Sequence, residues 1–338
     1  MAYRGALIGF GGVARQAHLP GFLHDAATRS RFTIVAAVDP VAAALPVTAD
    51  VPFPIVADRS ALGDVGPIDF VDICTPTASH VALTLWALER GYHVLCEKPV
   101  AVTARESEAI ATAARAARRT VMPCHQYRFN PAWRQMREWL EGGAIGHWHL
   151  AELSVYRTAA DSGAAGDGAG VPWRGTSGDG AGGILLDHGT HLLYTLRDMA
   201  GPPQAVRAWT ARLLHRAYDV EDTAQVVLEY PDRVATVFLT WAARARENRV
   251  RFIGDRGTIE WIGGELRLDS DGRRETRDLS AALDKSSYVS WFAALFQGFG
   301  DAMREQASAE EPLGDIAQVA RLLEAAYTAA RTGSRVAL

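Results

Sequence analysis

The sequence predicts an α/β chain: a doubly wound parallel sheet over residues 1–124, then an α+β domain, 125–338, on a large, mostly antiparallel open sheet. Three observations predict it. A strand, a glycine turn and a helix open the chain; β-branched apolar runs then alternate with Ala-rich stretches up to residue 124; beyond it, runs of alternating apolar and polar residues follow one another across short turns. Strand and helix in alternation is the pattern of crossovers between parallel strands, whereas period-two alternation marks strands with one covered face. With 338 residues, 48% of them apolar, the chain is long enough for two cores.

Tyr3 to Phe10, YRGALIGF, reads as a buried strand, and GVARQAHLPGFLHDA as the helix that follows its glycine turn. FTIVAAV (32–38) is a second strand, ended by Asp39-Pro40. IDFVDICTP (68–76), GYHVLCEKP (91–99) and TVMPC (120–124) supply three more, with helix-favouring crossovers over 77–90 and 103–119. The segment after Asp39 is short and proline-rich, so its crossover helix is expected to be curtailed. In the second domain WHLAELSVY, AVRAWTARLL, TAQVVLEY, RVATVFLTWA, NRVRFIGD, GTIEWI and ELRLDS are the strands, with turns such as Pro231-Asp232 and Gly263-Gly264 between them. One sheet face takes helices and the other is left for solvent or a second copy, so a homodimer or homotetramer through the open face is expected. The tract 161–183, rich in glycine, reads as a flexible lid or binding loop.

Lys and Arg total 35 against 39 Asp and Glu, a net charge of -4 without any basic block, which argues against nucleic acid or a membrane surface as a partner. No run of about 18 apolar residues is present, and the chain reads as soluble and unexported. Cys74, Cys96 and Cys124 form neither a disulfide framework nor a C-x-x-C ligand spacing, and fit small core residues in a reducing cytoplasm.

Gly9-Phe10-Gly11-Gly12-Val13-Ala14 fits G-x-G-x-x-G/A at the first strand-to-helix turn. Gly9 makes the tight turn, Gly11 lets the backbone approach a pyrophosphate, Ala14 keeps the helix close to the sheet, and the helix N-terminus offers N–H donors. Asp39, ending the second strand, can accept from both ribose hydroxyls of NAD and repels the 2′-phosphate of NADP. No Arg or Lys follows to neutralise that phosphate, so NAD is favoured over NADP. Lys98 of Glu97-Lys98-Pro99 ends an apolar strand at the edge where doubly wound sheets bind ligands, and its cation can stabilise an alkoxide. In a helix beginning near Ile184, Asp187 and His191 stand at i and i+4 on one face. The imidazole suits proton transfer and the carboxylate can orient a hydroxyl, although such a pair alone is also what a satisfied helix end looks like. A metal site is not expected: His188 faces elsewhere and no H-E-x-x-H or further clustered ligand accompanies it. Trp173, within the glycine-rich tract, can stack on the C–H face of a sugar.

Together these features resemble the family of glucose-fructose oxidoreductase, inositol dehydrogenase and the rhizopine-catabolism oxidoreductases. The resemblance runs through the glycine turn, Thr75-Pro76 with His80, Glu97-Lys98-Pro99, Arg128-Phe129-Asn130-Pro131, Trp173-Arg174, and Gly182-Gly183 through Asp187-x-Gly189-x-His191. It implies a Rossmann first domain, a substrate-binding and oligomerising second domain, and closing helices over YVSWFAALFQGFGDAM and LLEAAYTAARTGSRVAL that can pack back on the first. It implies that Gly9, Phe10, Gly11, Gly12, Val13 and Ala14 line the pyrophosphate, Asp39 the adenosine ribose, and Thr75, Pro76, His80, Glu97 and Lys98 the nicotinamide side. Lys98 and His191 become the proton-transfer pair and Asp187 the orienting carboxylate, with Arg128, Trp173 and Arg174 near the substrate. Two positions depart from the family pattern: Thr77 where Asn is common and Tyr194 where Asp is common, the second bearing on how His191 is held. The function implied is hydride transfer between nicotinamide and a secondary alcohol or ketone of a sugar, cyclitol or related polyol. A redox-neutral NAD-using epimerase or lyase shares every one of these features, and a non-catalytic dinucleotide or sugar sensor could dispense with Lys98, Asp187 and His191.

Overall fold

The computed structural model describes residues 2–42, 48, 50–160, 171–178, 182–283, 287–305 and 309–338. The chain divides into two compact units, one holding the described residues through Cys124 together with Tyr288–Ala317, the other holding the rest.

The first unit carries a six-stranded parallel sheet in the order β3-β2-β1-β4-β5-β6, with β1 at Tyr3–Ile8, β2 at Phe32–Val38, β3 at Ile55–Val56, β4 at Phe70–Ile73, β5 at His93–Cys96 and β6 at Val121–Pro123. Reversal of the strand order about β1 is the doubly wound arrangement, with ligand-binding crevices at the carboxyl edge. A π-type turn, Ala14–His18, leads into helix α1, Leu19–His24, and α2 follows at Ala26–Arg31. The crossovers are α3, His80–Glu89, and α4, Ala104–Ala117. A reciprocal cap starts α4: the Thr103 hydroxyl accepts from the Glu106 amide while the Glu106 carboxylate accepts from that of Thr103. The curtailed helix expected after Asp39 falls partly on residues 43–47 and 49, outside the described residues.

The closing segment contributes to this unit as well. α7, Tyr288–Arg304, lays Phe296 flat on Phe22, centroids 3.9 Å apart and planes 5° from parallel. Phe299 lies parallel to Phe32 at 6.3 Å and edge-on to Phe70 at 5.6 Å. Pairs of this kind add about 0.5–1.5 kcal/mol each beyond the area they bury.

The second unit is built on a nine-stranded sheet. Its strands are β7 (Trp148–Tyr156), β8 (Ala205–Ala211), β9 (Thr223–Glu229), β10 (Val234–Thr240), β11 (Glu247–Gly254), β12 (Gly257–Ile262), β13 (Glu265–Ser270), β14 (Arg273–Asp278) and β15 (Val336–Ala337). They lie in the order β14-β13-β12-β11-β7-β10-β9-β8-β15, all antiparallel except the β7 and β10 pair. Alternation sends Leu153, Val155, Val237, Leu239, Val226, Leu228, Phe252, Trp261 and Leu268 to the buried face. α5, Pro131–Glu141, begins with Pro131 and is capped by the Asn130 carboxamide, and its Trp133 packs edge-on against Trp261. On the opposite sheet face Glu152, Gln225, Arg249, Arg251 and the half-exposed Trp209 meet solvent in this chain. α6, Thr190–Ala200, belongs to this unit, as does α8, Glu310–Thr332, from Gln318 onward. No helix among the described residues is long and apolar enough to cross a membrane. β14, RRETRD, has no apolar alternation because it is an edge strand, where charge guards against further pairing.

Candidate functional site

The carboxyl edge of the parallel sheet gathers the first set of sequence-predicted residues. Gly9 takes φ +88°, and a Cβ there would stand 3.0 Å from the Cys74 carbonyl carbon and the Thr75 amide, so only glycine fits. At Gly11 a Cβ would meet nothing within 4 Å, so the backbone there faces open space, as an approaching pyrophosphate requires. Ala14 is fully buried at the start of the helix, and Val13 precedes it in helical conformation. Asp39 stitches this turn to the end of β2: one carboxylate oxygen accepts from the Phe10 amide at 2.8 Å, the other from the amides of Val41 and Ala42 at 2.8 and 2.9 Å. These residues fit a dinucleotide: a bare backbone turn, a helix start and an acidic strand end lie together.

Thr75, Pro76, His80, Glu97 and Lys98 come together at the ends of β4 and β5. The Ser79 hydroxyl donates to Thr75 Oγ1 at 2.6 Å and lies 2.8 Å from the Pro76 carbonyl. His80 is buried, with Nδ1 2.8 Å from the Pro99 carbonyl oxygen and Nε2 2.8 Å from that of Thr75. Two carbonyl acceptors call for a proton on each ring nitrogen, while burial lowers the pKa of the ring and so opposes that charge. In either state His80 serves the backbone on both sides. Lys98 and Pro99 are joined by a cis peptide bond, and Lys98 is half-buried.

Sequence reasoning missed the group beneath. His18 is fully buried, with Nδ1 2.7 Å from Asp72 Oδ2 and Nε2 3.0 Å from Glu97 Oε1. Against the penalty of burial, the Asp72 charge holds the imidazole pKa well above its ordinary value. The Glu97 carboxyl is held below its ordinary range by His18, which outweighs its own burial. Burial pushes the neighbouring Cys74 thiol up to about 12, and all three cysteines are free and buried. His18 with Asp72 and Cys74, and His18 with Glu97 and Cys124, also stand close enough to be considered as metal ligands. Direct contacts of the ring with both carboxylates already account for this cluster as an ion-paired one. One signal was legible: Asp72 is a charged residue inside a wholly buried strand, where charges need a partner.

The second unit holds the remaining predicted residues. The helix expected near Ile184 is present, its first turn, Leu185–Gly189, of π type before α6 begins at Thr190. Asp187 and His191 are held by different partners. Arg174 Nε stands 3.6 Å from Asp187 Oδ1 and His188 Nδ1 3.1 Å from Oδ2, while the Arg174 guanidinium lies 4.1 Å over the Trp173 ring. His191 sets Nδ1 3.1 Å from the Tyr194 hydroxyl and stacks on Tyr127, centroids 4.2 Å apart. Tyr194 Oη also accepts from the Tyr127 amide at 3.0 Å, and burial pushes this hydroxyl well above the usual tyrosine pKa, so it stays protonated. Arg128 makes a two-pronged pair with Asp198 at 2.6 and 2.8 Å.

The helix start is fixed by Glu221, another residue the sequence did not single out. Its carbonyl accepts from the Ile184 amide, and its Oε1 accepts from the Leu185 amide at 3.2 Å and the Tyr327 hydroxyl at 2.9 Å. Gly183 is required for this approach, since a Cβ there would stand 2.0 Å from the Glu221 carbonyl oxygen. Of the glycine-rich tract, where a lid or binding loop is expected, residues 161–170 and 179–181 lie outside the described residues. Ser177 donates from both its amide and its hydroxyl to Asp219.

Comparison with known proteins adds the following. Residues 3–125 match a domain described as "Oxidoreductase family, NAD-binding Rossmann fold", and residues 133–260 match "GFO/IDH/MocA C-terminal domain". D-apiose dehydrogenase of Paraburkholderia graminis is 29% identical over 303 residues, 83% of this chain and 76% of that protein. D-glucoside 3-dehydrogenase of Escherichia coli is 26% identical over 293 residues, 80% of this chain and 79% of that one. Among solved structures, an oxidoreductase from Agrobacterium radiobacter in complex with NAD+, L-tartaric acid and magnesium superposes with a TM-score of 0.85 at 24% identity, covering 100% of this chain and 98% of the other. At that identity the likeness speaks for the fold.

Proposed function

The chain belongs to the GFO/IDH/MocA family of oxidoreductases, with an NAD-binding Rossmann fold as its first domain, and on that premise we propose that it is an NAD-dependent dehydrogenase or reductase acting on a secondary alcohol or ketone of a sugar, cyclitol or related polyol. One observation carries the reading: the carboxyl edge of a single parallel sheet collects the Gly9–Gly11 turn, Asp39, Thr75 and Lys98. Relatives that act on D-apiose and on a D-glucoside support the sugar class.

NAD, when bound, accepts or supplies the hydride. Gly9 to Ala14 hold the pyrophosphate and Asp39 the ribose, with Thr75, Pro76, His80 and Glu97 framing the nicotinamide side. In the oxidative direction His191, in the tautomer whose Nδ1–H donates to the Tyr194 hydroxyl oxygen, takes the substrate hydroxyl proton at Nε2. The Lys98 ammonium stabilises the negative charge gathering on that oxygen, and Asp187, with Arg174 and Trp173 beside it, orients a neighbouring hydroxyl. The second domain, expected over 125–338 and here without Tyr288–Ala317, is on this reading the substrate-binding half. Its open sheet face, with Trp209 half-exposed, supports a homodimer or homotetramer, and three free buried cysteines support a cytoplasmic setting.

The test is turnover of NAD and NADP against a panel of sugars and cyclitols, with Lys98→Met and His191→Ala alongside. Both variants are expected to fold and bind NAD while losing about 10²–10⁴ in kcat. Full turnover in either removes the role given to that residue.

A further inference from the structure

The charge cluster around His18 does more than fill the core. Both ring nitrogens face carboxylate oxygens, which only accept, so the ring donates from both and is an imidazolium. The groups packed on it are Asp72 of β4 and Cys74 just after that strand, Glu97 just after β5, and the rings of Phe292 and Phe296 from α7 at 4.3 and 5.7 Å, which carry no charge. Such a buried ion set is a poor source of stability, because desolvating the charges offsets most of their attraction. What it does supply is orientation. The Glu97 carboxylate gives Oε1 to His18 and, with Oε2, accepts the Lys98 backbone amide at 3.1 Å. On the far side of Lys98 the Pro99 carbonyl is met by His80 at 2.8 Å.

We propose that His18 is a positioning residue for Lys98: anchored by Asp72, it fixes the Glu97 carboxylate, which pins the backbone amide from which the Lys98 side chain departs. The inference rests on the reading of Lys98 as the group that acts on the substrate oxygen. Displacements of about 1 Å at a reacting group cost on the order of 10²-fold in rate, so an unpinned Lys98 slows the chemical step without weakening NAD.

The experiment compares His18→Gln, Glu97→Gln and the double variant in the full chain, using NAD and a sugar substrate deuterated at the reacting carbon. Each single variant is expected to lose about 10- to 100-fold in kcat, with NAD affinity unchanged in His18→Gln and, in both, a larger deuterium isotope effect as chemistry becomes rate-limiting. The double variant should be no slower than the slower single one, because both act along one path. A loss of kcat that only tracks the NAD-binding fraction, with the isotope effect unchanged, overturns the proposal, as do additive losses. If His18→Gln does not fold, Glu97→Gln carries the test by the same isotope effect, read at saturating NAD. Lys98→Met separates the two levels: if it loses turnover while His18→Gln keeps it, the positioning role falls alone, and if it keeps turnover, the reading of Lys98 falls as well.

Discussion

Nδ1 of His191 lies 3.1 Å from the hydroxyl of Tyr194, three residues further along the same stretch of helix. At this position the sequence departs from the aspartate common among proteins it resembles, and a neutral hydroxyl takes over the holding of the imidazole. Because burial keeps the Tyr194 hydroxyl protonated, the ring is oriented without a charged partner at that contact. The same oxygen accepts from the Tyr127 amide, and Tyr127 stacks on His191, so one phenol fixes the imidazole through a hydrogen bond and through the residue covering its face.

Tyr194→Phe should therefore cost both stability and rate. The Tyr127 amide loses its acceptor, worth about 1–3 kcal/mol in urea unfolding. Turnover should drop roughly tenfold or more as the ring loses its fixed angle. Steady-state kinetics on the folded fraction checks the second part, and an unchanged kcat would show that Tyr194 does not set the working position of His191.

Asp39→Asn keeps an oxygen for the Phe10 amide but removes the charge and the acceptor that serves the Val41 and Ala42 amides. Charged hydrogen bonds contribute about 1.5–3 kcal/mol, so kcat/KM for NAD should fall, and the NADP-to-NAD ratio of kcat/KM should rise about tenfold or more as repulsion of the 2′-phosphate disappears. Steady-state kinetics with both cofactors on one sugar reads this directly. A wild-type preference for NADP would contradict the role given to Asp39.

Glu221 offers a pH test. Burial pushes its carboxyl above the ordinary value, outweighing the hydrogen bonds from Tyr327 and Leu185. A carboxyl with a raised folded-state pKa binds its proton more readily when folded, so stability falls as pH rises from the unfolded pKa through the folded one. Glu221→Gln retains an acceptor for both donors and carries no charge. The variant should unfold at higher temperature than wild type at neutral pH, with the gap closing toward acid. A gap that widens in acid would mean that the carboxylate form is the stabilising one.

The layered order of the fold was legible because period and β-branching are local properties. The strands of both sheets that carry apolar alternation were readable, whereas β14 was not, its RRETRD sequence reflecting an edge with little to bury. The two-residue strands β3 and β15 are too short to leave a pattern. At the site, glycine chemistry made the Gly9–Gly11 turn readable from one hexamer. His18 was not readable, since its partners Asp72 and Glu97 lie 54 and 79 residues away. Glu221 likewise has its meaning set by Leu185 and Tyr327, 36 and 106 residues distant. The motif around Arg128 points to the substrate, whereas its two-pronged pair with Asp198, 70 residues on, leaves no local trace in the sequence.

The aromatic seam between α7 and the opening helix has a consequence for biosynthesis. Phe22, Phe32 and Phe70 leave the ribosome well before Phe296 and Phe299, the rings that cover them, because the strands of the second sheet lie between the two groups in sequence. Until those residues have been made, the nascent dinucleotide-binding half carries an uncapped aromatic surface, the kind of exposed apolar patch that chaperones shield. Helix α7 thus closes the first half only after the strands of the second unit that intervene in sequence have been synthesised.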